Sequence, residues 1–150
     1  MNEYVAGFLF RKTLIPDGRG VDVALIRKNR GPHGMAGKLN GIGGKIEANE
    51  TPLVAMIREF SEETGATVTD WDSFCTLQGT NYIVHFFRAW DNDDSVVLQD
   101  MTDEPVDWYC ADYGYDLTVY NTVMPNLKWL IPLALDSTID NVEVADNTSQ

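Results

Sequence analysis

The alternation of apolar and polar positions divides this chain into strands, one strongly marked helix and a second apolar helix. Residues 4–10, Tyr-Val-Ala-Gly-Phe-Leu-Phe, form a near-continuous apolar run, which reads as a buried strand. Val21 to Ile26 is a second, β-branched strand, expected to pair with the first as a hairpin. Pro16-Asp17-Gly18 marks a turn in the long connection between them. Residues 28–38, rich in Gly, Lys and Arg, read as a loop, and Gly41-Ile42-Gly43-Gly44 as a short flexible segment. Thr51-Pro52 then opens a helix, with Thr as N-cap and Pro at the first helical position. Gly65 ends it as a left-handed stop near Thr64. Residues 66–78, 82–90, 96–99 and 106–109 are further strand candidates, and Asp91 to Asp94 a solvated turn. Residues 111–123 match neither period. Residues 125–135 carry a helical stripe of Leu127, Leu130, Ile131 and Ala134, which Pro132 is expected to kink or shorten. The order strands, helix, strands, helix predicts an α/β domain with a mixed sheet between helices. The domain is expected to span 1–136, with 137–150 an acidic, frayed tail.

The 150 residues suit one domain, and no apolar run reaches the roughly 18 residues of a membrane span. Met1-Asn2-Glu3-Tyr4 has no signal-peptide character, so a cytoplasmic location with Cys75 and Cys110 reduced is expected. The net charge of -12 argues against broad nucleic-acid binding, which needs a basic surface. A small phosphorylated ligand remains compatible with it, given local cations or backbone amides.

On the first helix the charge becomes informative. At about 100° per residue, Leu53, Met56, Ile57 and Phe60 share one face, expected to be the core side. Glu59, Glu62 and Glu63 fall on another face, at neighbouring i, i+3, i+4 positions. Three carboxylates toward the C-terminal end of a helix repel each other and the helix dipole. A solvated acidic face is one reading. A site for a hard divalent cation, Mg²⁺ or Mn²⁺, is the other. Arg58 beside Glu59, Glu50 at the helix mouth and Gly43-Gly44 before it favour the second.

The run Gly44-x5-Glu50-x7-Arg58-Glu59-Phe60-x-Glu62-Glu63-x-Gly65-Ala66 resembles the Nudix box, GX5EX7REUXEEXGU, at every invariant position. Phe60 and Ala66 depart from the usual aliphatics but stay apolar. The resemblance implies the Nudix α/β/α sandwich and hydrolysis of a nucleoside diphosphate derivative. It implies Glu59, Glu62 and Glu63 as metal ligands, with a main-chain carbonyl of Gly43 or Gly44. Glu59 would also orient or deprotonate the attacking water, Arg58 would hold Glu59, Glu50 would support the loop, and Lys45 would meet a phosphate or Glu59.

Substrate signals lie outside the box. The segment Gly37-Lys38-Leu39-Asn40-Gly41-Ile42-Gly43-Gly44-Lys45 is similar to the W-N-G-F-G-G-K stretch of oxidised-purine nucleoside triphosphatases. Asn40 therefore either hydrogen-bonds a base or only forms a turn before Gly41. Glu104, ahead of Trp108, is an extra metal ligand or an exposed loop carboxylate. Asn126 stands in a base-recognition segment similar to that of MutT-type enzymes. Lys28, Arg30 and His33 are phosphate-receiving or simply solvated. Tyr82 falls where dinucleoside-polyphosphate hydrolases carry a Tyr, though a Tyr in a strand is commonplace. The expectation is a metal-dependent pyrophosphohydrolase of a (deoxy)nucleoside triphosphate such as 8-oxo-dGTP, monomeric or homodimeric. The alternatives are a dinucleoside-polyphosphate hydrolase and a non-catalytic nucleotide-binding module of the same fold.

Overall fold

A computed structural model of the chain describes residues 1–13, 20–31, 34–111 and 123–146. The turn expected at Pro16-Asp17-Gly18, His33 and most of the ambiguous 111–123 segment lie outside these residues. The elements in chain order are β1 (Asn2–Lys12), β2 (Val21–Arg27), β3 (Leu39–Asn40), β4 (Ile42–Lys45) and α1 (Pro52–Thr64). There follow β5 (Asp72–Gln78), β6 (Tyr82–Trp90), β7 (Val106–Cys110), α2 (Leu127–Leu135) and β8 (Val142–Ala145).

One mixed sheet runs β3-β2-β1-β6-β5-β8, with β4 added to β1 and β7 to β2. β1 pairs antiparallel with β2, as the expected hairpin, and parallel with β6. The apolar run of β1 has a simple cause: helices cover both faces of the sheet, so successive side chains on either face are buried. Val5 and Leu9 join Ala24, Ile26, Met56, Phe60 and Phe87 on the α1 side. Phe8 and Phe10 join Val23, Leu25, Phe86, Leu127 and Leu130 on the α2 side. The sheet therefore lies between the two helices, as the pattern predicts. Among the described residues no helix is long and apolar enough to cross a membrane.

The first helix is built as its sequence dictates. Thr51 Oγ1 accepts the Val54 amide at 3.2 Å, Pro52 opens the first turn, and Gly65 at φ 78° donates its N–H to Ser61 O. Its buried residues are Ala55, Met56, Phe60 and Thr64. Leu53, expected in the core, is 40% exposed. It lies on the expected meridian of the helix, but at its very start, two residues before the first buried position, Ala55.

Other expectations need correction. Gly41–Gly44 is not a flexible link, because Ile42 to Lys45 form β4 against β1, with Val5 opposite Gly44 and Ala6 opposite Gly43. A Cβ on Gly43 would overlap the Val5 carbonyl, so glycine serves close backbone approach here. The strand expected from residue 66 begins only at Asp72. The preceding stretch instead seats Trp71, whose Nε1 donates to Val68 O at 3.0 Å. Residues 96–99 form no ladder. They lie along α1, with Gln99 N donating to Thr64 O and Val96 and Leu98 packed on the core. The turn at 91–94 is anchored rather than simply solvated: Asp91 is buried and accepts the Ser95 and Val96 amides. α2 continues through Pro132 to Leu135 and buries the stripe its period predicts. The frayed tail does not hold over 142–145, which pair as β8 parallel to β5. Val142 and Val144 alternate with Glu143 there, and this short β signal is hidden by the acidity of its surroundings.

Candidate active site

The candidate site is a seam between α1, β4 and the segment that leads into β7. Arg58 organises its α1 side. Its Nε donates to Glu50 Oε2 at 2.7 Å and its Nη2 to Glu50 Oε1 at 2.9 Å, a bidentate pair. Nη1 donates to Glu59 Oε1 at 3.0 Å and to Glu62 Oε2 at 3.2 Å. Nη2 also reaches the Lys45 carbonyl at 3.1 Å, tying the helix to the end of β4. Glu50 in turn accepts the Glu47 amide at 2.9 Å, so the loop before α1 closes on the same guanidinium. The Arg58 guanidinium holds the Glu50 carboxyl below the usual carboxylate value, and Glu50 in return raises Arg58 further.

Glu59 sits against β4. A Cβ on Gly44 would lie 2.5 Å from Glu59 Oε1, so that carboxylate rests on bare backbone. Burial pushes the Glu59 carboxyl up, against the pull of Arg58 and with the repulsion of Glu62 and Glu47. One turn on, Glu63 Oε2 accepts from the Thr102 hydroxyl at 3.3 Å. Burial also pushes Glu63 up; Lys28 opposes this, while Glu59 and Glu104 add to it. Glu62 is the exposed member of the trio.

Glu104 is 6% exposed, not an open loop carboxylate. Lys28 Nζ donates to its Oε1 at 2.9 Å and the Asn29 amide to its Oε2 at 2.7 Å. Burial alone would raise its carboxyl, but Lys28 and Asn29 outweigh that and hold it below the ordinary value. Lys28, Asn29 and Thr102 had no place in the expected acidic set. The signal for Lys28 lies in strand register. Ile26 pairs with Val106, and extending that antiparallel ladder by two residues sets Lys28 opposite Glu104. Arg30 lies 3.4 Å from Asp103 at the solvent edge.

The α1 carboxylates, Gly43-Gly44 and Glu104 thus come to one seam from elements far apart in sequence. They are not assembled into a metal centre: among the described residues no three His, Cys, Asp or Glu side chains are grouped to hold an ion. Arg58 engages Glu59 and Glu62, and Lys28 engages Glu104. The chemistry of the donors nonetheless fits a hard divalent cation. All are oxygen donors, and Glu59 and Glu63 are carboxylates whose ionisation is opposed by burial and by neighbouring carboxylates, Glu62 and Glu47 for the first and Glu59 and Glu104 for the second.

The other expected residues divide. Lys45 is exposed, and among the described residues its ammonium makes no hydrogen bond to Glu59; its carbonyl serves Arg58 instead. Asn40 Oδ1 accepts the Gly41 amide at 2.9 Å, the turn role. Met124 N donates to Leu39 O at 2.9 Å, which brings the start of the α2 segment beside β3. Two residues on, Asn126 Oδ1 is buried with no hydrogen-bond partner among the described residues. Tyr82 is not brought to the seam. It shares the face of Val84 and Phe86, on the α2 side, and its hydroxyl donates to Asp146. That bond pushes the hydroxyl up to about 12. A cleft of about 370 Å³ lined by Asp70, Asp72, Arg88 and Trp90 also lies apart from the carboxylates. Arg88 spends its donors there on Asp72 and on the carbonyls of Ala134, Asp136 and Ile139.

Residues 12–113 match the family model of the NUDIX domain. The chain is 40% identical over 57 residues to the 8-oxo-dGTP diphosphatase of Escherichia coli K12, a stretch covering 38% of this chain and 43% of that enzyme. Among solved structures, the MutT protein of Bacillus halodurans superposes with a TM-score of 0.67 at 18% identity, over 95% of this chain and 90% of the other. The NUDIX domain of Shewanella oneidensis NrtR, solved with ADP ribose, gives 0.65 at 17% identity, over 88% and 84%. At these identities the two structures speak to the fold alone.

Proposed function

Since this chain belongs to the NUDIX family, we propose that it is a divalent-cation-dependent pyrophosphohydrolase that cleaves a nucleoside triphosphate to monophosphate and pyrophosphate. The observation that carries this reading is the seam itself. Glu59 lies on Gly44, Glu63 lies on Thr102, and Arg58 fixes Glu59 to Glu50. Glu59, Glu62, Glu63 and Glu104, with a carbonyl of Gly43 or Gly44, are the proposed ligands for Mg²⁺ or Mn²⁺. A bound cation would neutralise phosphate oxygens and acidify the attacking water. The chain supplies the rest. Arg58 keeps the Glu59 carboxylate in one orientation. Glu59, held by Arg58 against β4, would in this reading take up a proton from the attacking water. Gly44 leaves room for that carboxylate beside the backbone.

For the substrate, the partial likeness to an 8-oxo-dGTP diphosphatase supports an oxidised or normal purine triphosphate. Asn126 Oδ1, buried and without a hydrogen-bond partner among the described residues, follows two residues after the Met124 bond to Leu39 of β3, and this supports a base-reading role for that corner. The dinucleoside-polyphosphate alternative loses its motive, since Tyr82 is committed to Asp146 on the other face. A non-catalytic module is disfavoured by the full set of carboxylates.

The test is a panel of normal and oxidised dNTPs, dinucleoside polyphosphates, ADP-ribose and nucleotide sugars with Mg²⁺, scored for the phosphates released. Pyrophosphate from a triphosphate is expected, together with loss of at least about a hundredfold in kcat for Glu63→Gln at unchanged fold. No turnover of any compound, or full activity in Glu63→Gln, would refute the proposal.

A further inference from the structure

Glu104 is the most deeply buried acid in the seam, and Lys28 is its charged partner. The pair is fixed by topology, because the β2–β7 register sets the two residues opposite each other. Asn29 locks it further, through its amide to Glu104 Oε2 and its side chain to Asp103 O at 2.6 Å. The Thr102 hydroxyl links this pair to α1: it donates to Glu63 Oε2, and the Glu104 amide donates to it at 3.1 Å.

We propose that Lys28 is a built-in counter-ion for Glu104, which a divalent cation entering the seam must displace, so that Lys28 sets the cation affinity of the site. This rests on the cation-dependent reading above. The physical argument has two parts. A carboxylate this buried is strongly disfavoured without an opposite charge, and Lys28 supplies one when no cation does. A cation drawing on Glu104 then competes for the oxygen that Lys28 holds, and the two positive charges repel at short range. Lysine suits the role. Its compact charge sits on a flexible stem, and its side chain keeps 23% exposure toward solvent, so it can withdraw.

A purely structural pair would behave differently, because its loss would lower stability without changing cation affinity. The experiment is Mn²⁺ titration of the full chain by calorimetry, with melting in EDTA, for the parent, Lys28→Gln and Lys28→Arg. Lys28→Gln should melt lower in EDTA and bind Mn²⁺ on the order of tenfold more tightly, the scale of one charged hydrogen bond. Lys28→Arg, which keeps the charge but holds a carboxylate more firmly, should bind Mn²⁺ no more tightly than the parent, and Lys28→Gln should gain no affinity in a Glu104→Gln background. The unsubstituted chain gives a second reading that does not depend on a variant folding. Acetylation of Lys28, followed by mass spectrometry, should rise severalfold when Mn²⁺ saturates the site. Equal or weaker Mn²⁺ binding by Lys28→Gln, or unchanged labelling of Lys28, would overturn the counter-ion role. If the parent binds Mn²⁺ and turns over a nucleotide, such a result removes only this inference. If the parent binds no Mn²⁺ and turns over nothing, both readings fall.

Discussion

Two adjacent glycines in β4 show how differently one residue type can be used. A side chain on Gly43 would meet the Val5 backbone, which cannot move without breaking the β1–β4 ladder. A side chain on Gly44 would first meet the far end of Glu59, a side chain that can shift. Gly43→Ala is therefore expected to cost about 1–3 kcal/mol of stability, the usual scale of overpacking, read as a lowered urea midpoint. Gly44→Ala should leave the midpoint near that of the parent but displace the Glu59 carboxylate and lower kcat by at least about tenfold. If Gly44→Ala unfolds the protein and Gly43→Ala does not, these assignments are reversed. Arg58 is the complementary case at this scale. Its donors serve Glu50, Glu59, Glu62 and the Lys45 carbonyl, so one side chain joins loop, strand and helix. The motif spacing marks Arg58 as a partner of Glu59; that it also closes the loop through Glu50 is visible only in three dimensions.

At the scale of the element, α1 carries both the core and the chemistry, and its ends decide whether its last turns are rigid. The Thr51 cap and the left-handed Gly65 bracket 13 residues without acidic groups in the first turn or basic ones in the last. The dipole is thus left uncompensated while Glu59, Glu62 and Glu63 crowd the C-terminal half. Thr51→Ala removes the side-chain acceptor of the Val54 amide at the N-terminus and should cost about 1 kcal/mol, measured by urea denaturation. A loss below a few tenths would mean that the cap bond is not formed in solution. The helix limits, caps and carboxylate face were all legible from residues 51–65. Leu53 was misread because a helical wheel has no length: it reports the meridian of a residue but not how far along the axis the sheet reaches.

At the scale of the molecule, Tyr82 and β8 show how an acidic C-terminal segment can be part of the sheet. β8 lies parallel to β5, and Tyr82 at the start of β6 donates to Asp146 just after β8, while Asp146 N donates to Gln78 O. Tyr82→Phe should lower stability by about 1.5–3 kcal/mol, by loss of a hydrogen bond to a charged group, and leave KM for the nucleotide unchanged. A raised KM would return Tyr82 to the substrate site. The sequence alone determined what is local. The caps and the 3.6-residue period set α1, runs buried on two faces set β1 and β2, and the spacing of Gly44, Glu50, Arg58, Glu59, Glu62 and Glu63 marked the chemistry. Each depends on residues a few positions apart, whose geometry the backbone itself dictates. Only the tertiary structure decided what depends on distant pairing. It made β4 a strand, withdrew Tyr82 to the opposite face, joined Glu63 to Thr102 and gave Glu104 its counter-ion in Lys28. Lys28 and Glu104 stand 76 positions apart and carry no local signal of their meeting, because strand register, not sequence proximity, sets the two charges side by side.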